Sequence, residues 1–186
     1  MNILWIVLGV AALVGMYFWS LYNGLVSLKT QIEEAWSQID IQLKRRADLI
    51  PNLVTTVKGY AKHEKTVFTD VTKARTALMG AKSLHDKAEA SDMLTGALGK
   101  LFAVAESYPE LKANENFLQL QKELSETENK IEMARRFYNG AVRELNTAVE
   151  SFPSNAVAGA FGIGKRAFFE ITNAGDRDVP NVSTAP

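Results

Sequence analysis

The side chains of this chain that are equipped for chemistry are few, and their spacing argues against most reactions. His63-Glu64, within Lys62-His63-Glu64-Lys65, starts like a zincin motif, but the second histidine that a helix must place four residues after the first is replaced by Val67. His85 is the other histidine, and with two histidines and no cysteine a multi-histidine or thiolate metal site is not expected. Glu33, Glu34, Asp40 and Asp48 have the side chains for acid–base work but no nucleophile, histidine or glycine-rich loop beside them. Acids on helix surfaces are ordinarily solvated. Gly159, Gly162 and Gly164 precede Lys165 without the spacing of a phosphate-binding loop. The expectation is a non-enzymatic protein with no catalytic, cofactor-binding or metal-ligating residues. Charge adds a further limit: 21 basic against 21 acidic side chains give a net charge of zero, and nothing favours nucleic acid as a partner.

The elements carrying these residues begin with an apolar segment. From Ile3 to Tyr22 no side chain is charged, and the first charge is Lys29. As a helix that stretch covers about 30 Å, the thickness of a bilayer's hydrocarbon core. Trp5 stands near one end and Trp19 and Tyr22 near the other, where amphipathic rings favour the membrane interface. A cleaved signal peptide would start with basic residues and end on small ones, whereas here bulky Trp19, Leu21 and Tyr22 fill the cleavage region. A buried core helix has no need of so long an unbroken apolar run. Residues 1–22 therefore read as an uncleaved single-pass anchor. Lys29 leans towards an outer N-terminus and a cytoplasmic body.

Helical seams follow. Trp36, Leu43, Ile50, Val57, Val71 and Leu78 repeat every seven residues, with Ile39, Leu53, Tyr60, Val67 and Ala74 three places on. This predicts one helix over about 23–80, continuous with the span through Leu28 and Ile32. Straight, it would reach about 85 Å. Pro51 interrupts it, but the lattice keeps phase across the proline, which favours a continuing, kinked helix over a break. Leu94, Leu101 and Tyr108, with Ala97 and Ala105, mark a shorter helix over about 86–107, ended by Pro109. A third helix runs from an Asn114 N-cap to Phe152-Pro153, with Phe117, Leu124, Ile131, Tyr138, Leu145 and Phe152 on its seam. Ser154 or Asn155 caps a short fourth, through Phe169. Strand alternation is absent. The fold class is all-α: an N-terminal transmembrane helix, then an antiparallel, up-down four-helix-bundle-like domain over residues 23–172. Residues 173–186, rich in Gly, Asp, Pro, Asn, Ser and Thr, read as a disordered tail.

Charges on the seams are the candidate interaction or register-setting residues. Asp40 and Lys44 have the spacing of a surface ion pair, but Arg46 falls on the core stripe, where a charge needs a partner. Glu126, Glu128 and Glu132 are candidates for Arg46, and Arg135 or Arg136 for Asp48. Two readings stand: an internal ion-pair set fixing register, or a polar cleft or oligomer contact. Residues 156–169 also carry two readings. Their aromatics close the end of the bundle, with glycines allowing close helix approach, or they lie against lipid headgroups with Lys165-Arg166 meeting phosphates.

The runs Tyr22–Val26, Ala35-Trp36-Ser37-Gln38-Ile39-Asp40, Gln42–Val54, Val57–Ala61 with His63-Glu64, Tyr108–Ala113, Arg135–Asn139 and Phe152–Asn155 together resemble the LemA family of bacterial membrane proteins. The resemblance covers residues 1 to about 172. It implies a single N-terminal span, an antiparallel helical bundle, a cytoplasmic body and no established catalytic activity. One relative in magnetosome-forming bacteria is associated with building intracellular membrane compartments, and family genes often lie near those of membrane metallopeptidases. Leu145-Asn146 departs from the Tyr-Asn usual there. The expected role is a scaffold or assembly module at the cytoplasmic (inner) membrane, the alternative an adaptor or regulator of a membrane protease. Arg45, Arg46, Asp48 and Pro51 on one helix, and Arg135, Arg136, Tyr138 and Asn139 on another, would carry the contacts. The expected partners are membrane lipid through the span, a second copy of the chain, or a membrane protein.

Overall fold

The structure, a computed structural model, describes residues 2–170 and is all-α. The tail expected over 173–186 lies outside the described residues. Six helices follow one another: α1 (Asn2–Tyr60), α2 (Lys65–Gly80), α3 (Leu84–Glu106), α4 (Pro109–Lys112), α5 (Glu115–Glu150) and α6 (Ser154–Ala160). The chain divides into two compact units, and α1 and α5 contribute residues to each.

The first unit holds residues 1–40 and 131–168. Every side chain from Ile3 to Ser20 is exposed, and the first buried residue is Leu25. From there α1 buries Ile32, Ala35 and Ile39, at the spacing of a helix face turned to a core. Residues 131–150 of α5 run antiparallel to it: the rings of Trp36 and Tyr138 lie 6.2 Å apart, those of Tyr22 and Phe161 4.4 Å apart. The expected fourth helix is shorter than its pattern implied, ending at Ala160 rather than Phe169. Gly162 adopts φ +65°, open to glycine at no steric cost. The amide of Ile163 donates to Ala158 O and that of Gly162 to Gly159 O, the paired bonds of a Schellman C-cap. Ser154 and Asn155 do not cap α6, whose N-cap is Pro153. Ser154 instead donates its hydroxyl to Ala148 O and Ser151 O at the end of α5.

The second unit, residues 41–130 with 169 and 170, is an up-down bundle of the end of α1, α2, α3 and the start of α5. Leu43, Ile50, Leu53, Val57, Val71, Leu94, Leu101 and Leu124 form its core. Here the sequence expectation needs correction. The seam predicted one helix to Gly80, but α1 stops at Tyr60 and α2 turns back along it, so that Lys58 lies over the Phe68 ring and Arg75 reaches Ala47. An unbroken helix would leave its second half without a core, whereas reversal buries Phe68, Val71, Ala74 and Leu78. The seven-residue lattice survives because its later members face the same core from a separate helix. Val67 is displaced from that core by Phe68. Ser83 caps α3 by accepting from the Asp86 amide, and Asn114 caps α5 by accepting from that of Phe117. Phe152, expected on the α5 seam, lies beyond the helix end and is exposed.

α1 runs through Pro51 without interruption. The proline ring has no N–H, and the carbonyl it would have bonded belongs to Ala47. Arg75 Nε donates to that oxygen at 2.8 Å. The gap in the α1 ladder is therefore filled from α2, and the two residues form a device that ties the helices together. Arg75→Met should destabilise the protein by about 1–2 kcal/mol, as expected for a charged donor lost from a part-buried carbonyl. In a Pro51→Ala background, where the backbone supplies the missing donor, the same substitution should cost less. A double-mutant cycle of thermal unfolding in detergent, followed by helical circular dichroism, measures that coupling.

Candidate functional site

The second unit encloses a polar cluster around Arg46. The α1 stripe that buries Leu43, Ala47 and Ile50 also carries Arg46, because residues three and four apart share a helix face. The residue is 3 % exposed. Nη1 lies 2.7 Å from Glu128 Oε2 on α5, and Nη2 donates to Thr95 Oγ1 on α3 at 3.0 Å. Asp92 on α3 adds a favourable charge. Burial pushes the guanidinium below its ordinary range, and Glu128 and then Asp92 oppose that shift. Gln42, one turn earlier on α1, turns a buried amide oxygen without a hydrogen-bond partner into the unit. One cation thus links α1, α3 and α5, and sliding any of them would leave a charge unpaired in the interior.

Of the partners expected for Arg46, Glu128 is the one it meets; Asp92 and Thr95 were not anticipated, since the seam of α3 reveals only apolar residues. Arg45 and Asp48 are exposed, as is Pro51. On α5, Arg136 pairs with Glu132 of its own helix. Arg135 and Asn139 are half-buried. Tyr138 is buried and donates its hydroxyl to Ala167 O at 3.0 Å, holding the chain that follows α6 against α5. Burial raises its pKa, offset in part by Arg166. Asn146 clasps the same segment, accepting from the Arg166 amide and donating to Arg166 O.

A second feature escaped the sequence reading. Lys58, Lys62, Lys65 and Lys73, with Phe68 and three threonines, line an open cleft of about 770 Å³ in the second unit. Among the described residues no acidic side chain lines it. Lys58, Lys62 and Lys65 are visible as a basic cluster in the sequence, but Lys73 joins them only because the chain reverses after Tyr60. A groove of about 490 Å³ lies in the first unit between α6 and the α1 positions Gly15, Phe18, Trp19 and Tyr22. Trp5 and Trp19 are exposed and Tyr22 is half-buried.

Comparison with known proteins fixes the family. The model described as "LemA family" matches residues 35–183. The chain is a member of the LemA family. Protein LemA of Metamycoplasma hominis is 28% identical over 161 residues, covering 84% of this chain and 72% of its own. Magnetosome protein MamQ 1 of Paramagnetospirillum magneticum is 25% identical over 184 residues, covering 85% of this chain and 68% of its own. Magnetosome protein MamQ of Magnetospirillum gryphiswaldense is 22% identical with the same coverage. The LemA match takes in the Arg46 cluster, the lysine cleft and α6, and begins after the apolar segment of α1.

The Arg46 cluster yields an asymmetric prediction for this LemA protein. Glu128→Leu leaves a buried cation short of its nearest partner and should cost about 3 kcal/mol. Arg46→Met leaves behind Glu128, whose side chain is 44% exposed although Oε2 is buried, and should cost less, about 1–2 kcal/mol. Thermal unfolding of both variants in detergent measures the difference.

Proposed function

We propose that this LemA-family protein is a non-enzymatic, membrane-anchored scaffold or assembly module at the bacterial cytoplasmic membrane. One observation carries the reading: α1 is a single 59-residue helix whose fully exposed apolar start leads without interruption into core positions from Leu25 onward. The apolar start is long enough to cross a membrane, as one candidate N-terminal span. A bundle grown directly from its anchor is held at a fixed distance from the bilayer, with its helix surfaces presented for assembly. From Asn23 to Asp40, within the first unit, α1 extends about 27 Å at 1.5 Å per residue. Two similar proteins carry names that place them in the magnetosome, which supports an organising role beside membranes. The bundle is assigned to the cytoplasmic side on Lys29, the first charge after the apolar segment.

The lysine cleft favours a second reading, an adaptor that receives an acidic segment of a membrane partner. Chemical crosslinking in native membranes, with mass spectrometry of the products, separates the two. The scaffold reading expects a ladder of the protein's own multiples. A single dominant foreign membrane protein would overturn it in favour of the adaptor.

A further inference from the structure

From Ser151 to Gly164 no side chain is charged, between Glu150 and Lys165. This stretch makes the α5–α6 turn, α6 and its exit. Closing the end of the bundle accounts for part of its apolar character, since Val157 and Ala158 are buried. It does not account for Phe152, 86% exposed, or Phe161, 62% exposed. Nor do the glycines bring helices close, because a Cβ at Gly159, Gly162 or Gly164 would meet nothing within 4 Å.

The position of these rings is informative. Trp36 faces Tyr138 within the first unit, and the twelve residues from Tyr138 to Glu150 rise about 18 Å. The same rise takes antiparallel α1 back to about Gly24, so Phe152 lies level with the end of the apolar segment. The Phe161 ring packs at a tilt against that of Tyr22 itself. The groove beside it sets Val157, Ala160 and Phe161 against Gly15, Phe18 and Tyr22, and Gly15 is about 10 Å deeper along the span than Tyr22.

We propose that residues 152–164 are a second membrane-contacting element, lying in the bilayer interface beside the span, with lipid acyl chains in the α1–α6 groove. The proposal rests on the reading of α1 as an anchor. Lipid is the occupant because one wall of the groove is the apolar segment itself, exposed from Ile3 to Ser20, and whatever solvates that segment reaches the groove. The absence of charge through Gly164 fits that depth, as do the exposed Arg166 and Lys165, the latter paired with Glu150, where the chain would return to the phosphates. The Schellman cap satisfies the carbonyls of α6 that would otherwise face a poorly hydrated layer.

The cysteine-free chain makes the test direct. Ala160→Cys, or Phe152→Cys should the first variant misfold, is labelled with a nitroxide in the full-length protein. The protein is reconstituted in phosphatidylethanolamine–phosphatidylglycerol vesicles. Val14→Cys serves as the span reference and Met133→Cys as the water reference. The expected result is that the label at 160 is relaxed by oxygen and shielded from a water-soluble nickel chelate, grouping with position 14. Nickel access at 160 like that at 133, with 14 in lipid, would overturn the proposal and leave the anchor standing. Shielding at 160 from both reagents would overturn it in favour of a second protein copy. Nickel access at 14 as well would sink the anchor reading and this one with it.

Discussion

One helix carries an apolar segment exposed on all sides straight into a buried core stripe, and that continuity shapes the rest of the protein. α1 presents side chains outward on all sides until Ser20, then narrows to a single buried stripe from Leu25. An α-helix suits both regimes because its backbone bonds are internal, so crossing from one to the other requires only a change of side chains. With no break at the junction, the direction of the apolar segment and of the first bundle helix is one direction. In the first unit α1 is met by the second part of α5 and by α6, and in the second unit by α2, α3 and the start of α5.

Two residues on α1 are costly in a core helix, and each is answered from another helix. Pro51 leaves a carbonyl without its donor, and Arg75 of α2 supplies one. Arg46 carries a charge inward and meets Glu128 and Thr95 from α5 and α3. An all-apolar seam would tolerate slippage by a heptad, whereas a buried cation with a fixed partner tolerates none. These polar contacts specify the register of α2, α3 and α5 on α1, while the apolar core supplies the driving force for their association. In a protein proposed to present its surfaces for assembly, fixed register matters, because it fixes which side chains face outward.

Much of this was legible in the sequence because helix periodicity repeats over long distances. The seams of α1 and α5, the Asn114 cap, the passage through Pro51 and a glutamate partner for Arg46 among Glu126, Glu128 and Glu132 all follow from spacing and polarity. The reversal after Tyr60 did not. Its signal is a weak run, Gly59 to Glu64, and the apolar lattice beyond it stays in phase whether the helix continues or folds back. With that reversal missed, the lysine cleft was hidden, since Lys73 meets Lys58 only across the turn. The early end of α6 is a matter of glycine: Gly159, Gly162 and Gly164 weaken the helix more than the flanking phenylalanines extend it. The contribution of α3 to the Arg46 cluster was out of reach, since Asp92 and Thr95 sit beside an apolar seam that gives no hint of a polar partner.

α1 is one uninterrupted helix from its apolar segment to the core. Amide hydrogen exchange on the full-length protein in lipid nanodiscs tests that most directly. Protection continuous from Tyr22 through Leu53, with no fast-exchanging gap, is the predicted result. Rapid exchange confined to residues 22–34, between a protected apolar segment and a protected core, would mean that a hinge separates anchor from bundle and would contradict it.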